Sequence, residues 1–84
     1  MPEHTLALYK YDSCPFCQRV MHYAKSLHLD LPMKDTLRDP SSRRELMELT
    51  GRTQVPMLLI DGQPLLESAD INRWLKAYAN RAEA

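Results

Sequence analysis

Two cysteines, Cys14 and Cys17, are the residues of this chain whose type and spacing are best suited to chemistry. They are its only cysteines, and Pro15 and Phe16 separate them. The segment before the pair alternates apolar and polar residues as a strand does, and the apolar residues after it recur at helical spacing. A Cys-x-x-Cys pair within a strand–helix–strand pattern is typical of thiol–disulfide redox chemistry.

The position of the pair at the start of a helix favours a reactive thiol. A helix N-terminus carries unpaired backbone N–H groups and partial positive charge, and both stabilise a thiolate. Pro15 fits the first helical position because no N–H is needed there. We therefore expect the helix to present a thiolate at its first residues.

A metal site and a structural disulfide are the alternatives for the cysteine pair. A zinc site needs about four ligands, usually Cys or His at regular spacing, and His4, His22 and His28 form no such pattern with the pair. A disulfide across so small a ring removes little chain entropy, because that stabilisation grows with loop length. Redox chemistry is thus the favoured interpretation, with no metal site.

Length and charge indicate a small domain with no evident nucleic-acid or membrane surface. The 84 residues predict a single domain over 1–84, which buries only roughly 60–65% of its unfolded surface. Eleven basic and eleven acidic residues are interspersed, so we expect no nucleic-acid partner. No stretch approaches the roughly 18 apolar residues of a membrane span, and the start M-P-E-H-T lacks a leader pattern. We expect a cytoplasmic protein, since thiols stay reduced there.

Strand and helix signals alternate along the chain in the order βαβαββα. The predicted strands cover residues 5–11, 31–36, 57–60 and 64–66. Asp39-Pro40 and Gly51 are start and stop signals for the second helix. Asp61-Gly62 is a hairpin turn between the last two strands, and Ser68 is predicted to cap the third helix.

This order, with the cysteine pair at the first strand-to-helix turn, predicts an α/β domain of the thioredoxin-like fold. We expect a four-stranded mixed sheet with helices on both faces, and its first two strands parallel through a right-handed crossover. A proline entering an apolar central strand loses a ladder hydrogen bond. We therefore expect a cis peptide bond between Val55 and Pro56, with a trans proline at the first strand residue as the alternative.

The chain resembles a glutaredoxin over nearly its whole length. Three motifs occur in that family's order and spacing: C-P-F-C followed by Q-R-V, V-P before an apolar strand, and E-S-A-D-I after the hairpin. The segments L-Y-K-Y-D-S-C-P-F-C and D-G-Q-P-L-L-E-S-A-D-I further resemble the N-terminal domain of two-domain bacterial glutaredoxins and of glutathione transferases. The E-S-x-x-I pattern is transferase-like, whereas smaller glutaredoxins usually carry Gly-Gly before the acidic residue.

The resemblance implies a reaction and its partners. Cys14, exposed at the helix cap, would be the nucleophile, and Cys17, more covered in the first turn, would resolve mixed disulfides. Glutathione would be a co-substrate and no cofactor would be tightly bound. Glutathionylated or disulfide-bonded proteins would be the substrates, with glutathione reductase as the indirect electron source. We expect a monomer.

The resemblance also implies a glutathione site. The backbone of Val55 would pair with the cysteinyl part of glutathione, and the N–H groups of Ser68 and Ala69 would bind its γ-glutamyl carboxylate. Asp70 would meet the γ-glutamyl ammonium, with Glu67 as its transferase-type counterpart. The remaining residues expected around the ligand are Lys10, Tyr11, Phe16, Gln54 and Pro56.

The partner of the glycyl carboxylate and the activity class stay open. Glutaredoxins usually carry a basic residue three positions before the first cysteine, where this chain has Tyr11. Lys10 could face away from the site because successive strand residues point to opposite faces, and Arg52 or Gln54 could replace it. Two other activities remain: a glutathione transferase-like N-terminal domain, and a carrier of a 2Fe-2S cluster held by Cys14 and glutathione from two chains.

Overall fold

The computed structural model describes residues 4–83, so the single domain predicted for 1–84 includes residues 1–3 and 84 outside the described part. The described strands are β1 (Leu6–Lys10), β2 (Met33–Asp35), β3 (Met57–Ile60) and β4 (Gln63–Leu66). The described helices are α1 (Pro15–Ser26), α2 (Pro40–Thr50) and α3 (Ser68–Glu83). The predicted order βαβαββα is confirmed.

The four described strands form one mixed sheet in the order β2-β1-β3-β4. β1 runs parallel to β2 and antiparallel to β3, and β4 pairs antiparallel with β3. The prediction of a thioredoxin-like four-stranded mixed sheet is therefore confirmed. β2 is shorter than predicted, and its pairing with β1 spans only the register from Leu8↔Met33 to Lys10↔Asp35.

Strand alternation divides the core between the two faces of the sheet. Leu8 and Leu58 point to the face that α1 and α3 cover, where they pack with Val20, Ala24, Leu31, Ile71 and Leu75. Tyr9 and Met57, their neighbours in sequence, point to the opposite face and pack with Leu46 of α2. This is the period of two that a sheet covered on both faces requires.

The helix ends show where the cap predictions hold. Asp39 caps α2 by accepting the Ser41 backbone N–H, and Gly51 ends it in the left-handed conformation with φ +73°. At α3 the cap prediction was wrong by one residue. The Glu67 carbonyl accepts the first intrahelical bond, from the Ile71 N–H at 2.9 Å, so Glu67 is the cap and Ser68 is the first helical residue.

The Val55-Pro56 peptide bond is cis, as predicted. Pro56 is buried immediately before β3, and Met57 is the first residue to enter the β1 and β4 ladders. Within residues 4–83, no helix is both long and apolar enough to cross a bilayer.

Candidate functional site

Cys14 is the N-cap of α1, with the extended backbone (φ −79°, ψ 118°) that a cap residue adopts. Its Sγ accepts the backbone N–H of Cys17 at 3.4 Å. Pro15 takes the first helical position, as predicted. The Cys14 sulfur therefore accepts a helix N–H and lies at the N-terminal end of α1, where the helix dipole is positive.

The loop from β1 into α1 positions this cap. The Cys14 N–H donates to the Tyr11 carbonyl at 3.2 Å, which closes a turn over Asp12 and Ser13. The Gln18 side-chain amide donates to the Asp12 carbonyl at 2.8 Å. The helix thus holds the loop that precedes it, and the two together determine where the Cys14 sulfur lies.

The solvent exposure of the two thiols matches the prediction for Cys17 but not for Cys14. Cys14 was expected to be exposed, and this was wrong, since only 5% of it is accessible to solvent. Cys17 is fully buried, which confirms that it is the more covered of the pair. Both thiols are free. The reason for the burial of Cys14 is that the cap carries its side chain back over the first helical turn, toward the Cys17 N–H.

Burial raises the pKa of the Cys17 thiol to about 12. A backbone hydrogen bond from Tyr11 and the positive charge of Lys10 act in the opposite direction and stabilise its thiolate. Cys17 is therefore a protonated thiol at neutral pH. The two cysteines thus occupy environments suited to different chemical roles.

A groove of about 310 Å³ runs past the start of α1. It is lined by Phe16, Gln54, Val55, Pro56, Glu67 and Ser68. All six were among the residues predicted to surround glutathione. The structure brings them together from three distant segments: the start of α1, the loop before β3 and the start of α3.

The walls of this groove offer unpaired backbone groups. Among the described residues, neither the N–H nor the carbonyl of Val55 has a backbone partner. The N–H groups of Ser68, Ala69 and Asp70 precede the first intrahelical bond of α3, so they too are free of helical partners. Gln54 Nε2 donates to Glu67 Oε1 at 3.2 Å and joins two walls.

The structure places Lys10 away from this groove. Its ammonium lies 2.6 Å from Asp12 Oδ1 and 3.5 Å from Asp35 Oδ2, and only 12% of the side chain is exposed. Lys10, one of the residues expected around glutathione, is not among those that line the groove, because strand alternation directs its side chain to the same sheet face as Leu8. Tyr11, Ala69 and Asp70 likewise do not line the groove, and the Asp70 carboxylate lies 3.5 Å from Arg73.

Two features near the cysteine pair were not apparent from the sequence. Phe16 is 55% exposed, and the Arg19 guanidinium lies 5.6 Å from the centre of its ring. The other is the Lys10–Asp35 ion pair, which joins residues 25 positions apart and directly opposite each other in the β1–β2 register. Only strand pairing could reveal that contact. No group of metal-binding side chains occurs among residues 4–83.

This chain is similar to a family model, to a curated protein and to several solved structures. Residues 13–77 match the family model of the glutathione S-transferase N-terminal domain. An uncharacterized glutaredoxin-like protein of Clostridium pasteurianum, from the rubredoxin operon, is 26% identical over 73 residues, which cover 84% of this chain and 97% of that protein.

Two solved structures show the same architecture. A Bombyx mori glutathione transferase matches with a TM-score of 0.76 and 30% identity over 93% of this chain, which spans only 38% of the transferase chain. A thioredoxin-like protein matches in fold with a TM-score of 0.72 at 21% identity, over 83% of this chain and 97% of its own.

The matched region includes both cysteines, the Val55-Pro56 bond and the start of α3, so it carries the cysteine pair and the groove beside it. The family model and the glutaredoxin-like protein of Clostridium pasteurianum confirm the predicted glutaredoxin-like resemblance. The chain therefore belongs to the family of glutathione S-transferase N-terminal domains, as a glutaredoxin-like member of the thioredoxin fold.

Proposed function

We propose that this chain is a glutathione-dependent thiol–disulfide oxidoreductase that reduces protein disulfides and glutathione mixed disulfides through Cys14 and Cys17. The observation that carries the proposal is the Cys14 sulfur at the N-cap of α1, accepting the Cys17 N–H. A nucleophilic thiolate needs such an environment. The Cys17 thiol, one helical turn away, resolves the mixed disulfide that Cys14 forms with a protein substrate.

In the proposed reaction, the Cys14 thiolate attacks the glutathione sulfur of a mixed disulfide. A bond forms between Cys14 and glutathione while the bond to the substrate sulfur breaks, and the substrate leaves as a thiolate that takes up a proton. A second glutathione thiolate then attacks the bound glutathione sulfur, which releases oxidised glutathione and restores Cys14. For protein disulfides, Cys14 attacks first and Cys17 resolves the product by forming the Cys14–Cys17 disulfide.

The groove is the proposed glutathione site. The free N–H and carbonyl of Val55 pair with the cysteinyl part of glutathione, as a strand edge would. The free N–H groups of Ser68 and Ala69, at the positive end of α3, bind its γ-glutamyl carboxylate. Glu67 and Asp70 lie at the same helix start and offer carboxylates to the γ-glutamyl ammonium. Gln54 and Phe16, which line the groove, and Tyr11, before the cysteine pair, complete the proposed set.

The glycyl carboxylate needs a different partner from Lys10, which two carboxylates already occupy. Gln54 lines the groove and Arg52 is an exposed arginine two residues before it. We assign the glycyl carboxylate to these two residues. The proposed setting is a monomer in the reducing cytoplasm, where glutathione reductase returns the electrons and glutathionylated or disulfide-bonded proteins are the substrates.

A transferase-like activity is the second candidate, because the matched family is that of glutathione transferases and Glu67-Ser68 lies at the groove. It predicts conjugation of glutathione to an electrophile. The Cys14 thiolate distinguishes the two, since conjugation needs the bound glutathione thiolate whereas disulfide exchange needs the protein's own sulfur.

The deciding experiment measures glutathione-dependent reduction of a small mixed disulfide, coupled to glutathione reductase, for wild type, Cys14→Ser and Cys17→Ser. We expect Cys14→Ser to lose all activity and Cys17→Ser to retain activity toward the mixed disulfide but not toward a protein disulfide. Conjugation to an electrophile is measured in parallel. Inactive wild type in the first assay with conjugation in the second would replace the oxidoreductase proposal by the transferase.

A further inference from the structure

Phe16 and Arg19 form an exposed surface on the first turns of α1, the Phe16–Arg19 platform. Phe16 is the only phenylalanine of the chain, and 55% of it is exposed to solvent. Arg19 follows one helical turn later, and its guanidinium lies 5.6 Å from the centre of the Phe16 ring, within the range of a cation–π contact. Aromatic and arginine side chains are enriched in protein interfaces. The platform is therefore a candidate contact surface.

The platform lies beside the Cys14 end of α1. Cys14 caps the helix, and Phe16 is the second helical residue and lines the groove. A helix rises about 1.5 Å per residue, so the Arg19 backbone lies about 7–8 Å along the axis from Cys14. Long helical side chains point back toward the N-terminus, and the contact with Phe16 fits this direction for Arg19. The guanidinium is thus directed toward the end of α1 that carries Cys14.

The positive charge of Arg19 has no carboxylate partner within residues 4–83. The nearest acidic residue in sequence before the cysteine pair, Asp12, lies 2.6 Å from the Lys10 ammonium. Arginine binds a carboxylate through two parallel hydrogen bonds, and an aromatic ring beneath the guanidinium restrains it for that contact. Arg19 is therefore suited to bind a carboxylate that comes from outside this part of the chain.

The proposed glutathione site does not use this charge. Its γ-glutamyl carboxylate is assigned to the N–H groups of Ser68 and Ala69, and its glycyl carboxylate to Gln54 and Arg52. In a mixed disulfide, the half that is not glutathione has to extend out of the groove, across the exposed start of α1. A carboxylate on that protein half is the charge that remains for Arg19.

We propose that the Phe16–Arg19 platform selects protein substrates that carry an acidic side chain within two residues of their reactive cysteine. The Arg19 guanidinium binds that carboxylate while Cys14 attacks the neighbouring disulfide, and the Phe16 ring holds the guanidinium in place. The proposal rests on the proposed function and adds a substrate class to it. The disulfide exchange is the one written above, and Arg19 neither gains nor loses a proton in it.

The dimensions of an extended substrate agree with this assignment. One or two residues of extended chain span roughly 3–7 Å, and the aspartate or glutamate side chain adds to that reach. The separation of Cys14 and Arg19 along the helix axis is about 7–8 Å. An acidic residue next to the substrate cysteine, or one position further, can therefore reach Arg19 while the cysteine sulfur is at Cys14.

The test compares glutathionylated peptides that differ only in one charge. Each peptide has a single cysteine, bonded to glutathione, with Asp, Asn or Lys at the adjacent position. Reduction is coupled to glutathione reductase, and kcat/KM is measured for wild type, Arg19→Gln and Arg19→Lys. Arg43→Gln is the matched control, because Arg43 is also an exposed helical arginine but belongs to α2, on the opposite face of the sheet.

We expect wild type to prefer the Asp peptide over the Asn peptide by roughly two- to fivefold at low ionic strength, the effect of one exposed charge pair. The Lys peptide should react most slowly, and added salt should reduce the preference. Arg19→Gln should remove the preference and leave reduction of the mixed disulfide of glutathione and 2-mercaptoethanol unchanged. Arg19→Lys should keep part of the preference, since lysine keeps the charge but not the two-point contact. Arg43→Gln should keep all of it.

Three results would overturn the proposal. The first is equal rates of wild type with the Asp and Asn peptides. The second is a preference that persists in Arg19→Gln or that Arg43→Gln loses to the same extent. The third is an equal loss of Arg19→Gln on all three peptides with a higher KM for glutathione, because that result would assign Arg19 to glutathione itself.

A second assay without glutathione separates this proposal from the proposed function. The peptide cysteine is bonded to 5-thio-2-nitrobenzoate, the Cys14 thiolate attacks the peptide sulfur, and the coloured thiolate leaves as the peptide becomes bonded to Cys14. The carboxylate of the reagent is the same in every peptide, so it cancels from the ratio of rates. Wild type that is inactive on glutathionylated substrates but selects the Asp peptide here would overturn the proposed function and support the platform. Equal rates here, with reduction of glutathionylated substrates intact, would overturn the platform alone.

Discussion

The two cysteines lie in different environments, one helical turn apart. The Cys14 sulfur accepts a hydrogen bond from the Cys17 N–H at the positive end of the helix dipole. Cys17 is fully buried in the core. Both effects come from the backbone of α1, because the cap residue receives N–H groups and the third helical residue turns inward. A small change of position thus produces two different thiols.

This difference predicts selective labelling. Native protein treated with iodoacetamide near neutral pH should be alkylated at Cys14, with Cys17 reacting on the order of 100-fold more slowly because its raised pKa leaves it protonated. Mass spectrometry of proteolytic fragments assigns the label. The unfolded chain is the control, where both cysteines should react at similar rates. Equal rates in the native protein would show that burial does not protect Cys17.

α2 is the element that joins the sheet to the loop of the proposed glutathione site. Leu46 is its fully buried residue, and Glu45 fastens it to the sheet by accepting the Tyr9 hydroxyl at 3.1 Å and the Lys34 ammonium at 2.9 Å. Gly51 then ends the helix and sends the chain toward Val55. The conformation of this one glycine therefore affects both the stability of α2 and the approach to the groove.

Gly51→Ala should lower the free energy of unfolding by about 1 kcal/mol, because alanine is strained in the left-handed conformation that ends this helix. Space is not the reason, since a Cβ at this position would meet no atom within 4 Å. Gly51→Asn is the matched variant and should lose less, because asparagine tolerates this conformation. Urea denaturation measures both. Equal losses would point to a cause other than backbone strain.

Across the whole molecule, the shifted pKa values of carboxyl groups lower the stability at low pH, and the raised pKa of the Cys17 thiol lowers it at high pH. Hydrogen bonds and ion pairs lower the pKa values of Asp35, Asp39, Glu45 and Asp61 in the folded state. Their stabilisation is present above the pKa of the unfolded carboxyls and is lost as pH falls through the lower folded values. Cys17 acts in the other direction, because its folded pKa is raised.

Stability should therefore fall below about pH 4, as the paired carboxylates protonate, and again above about pH 9, where the unfolded Cys17 thiol ionises but the folded one does not. Thermal unfolding across this pH range measures both limbs under reducing conditions. Cys17→Ala is the control, since it should keep the acid limb and lose much of the alkaline one. An alkaline limb unchanged in Cys17→Ala would contradict the assignment.

Much of this molecule could be predicted from near neighbours in the chain. The C-P-F-C segment, the Asp39 and Gly51 helix signals and the Asp61-Gly62 turn are local, and each element they predict is present. The groove residues were also predictable, although only through the family motifs. Local patterns succeed because caps, turns and periodicity depend on residues a few positions apart.

Contacts between distant residues could not be predicted in the same way. The Lys10–Asp35 ion pair follows from the register of β1 against β2, which brings the two residues opposite each other. The low exposure of Cys14, at 5%, was likewise not predicted from its position at the helix cap. Residue types and spacing thus determined the position of the cysteine pair, the element order and the fold. Packing decided that both thiols are buried and that Asp35 pairs with Lys10, because burial and ion pairing arise only when distant segments meet.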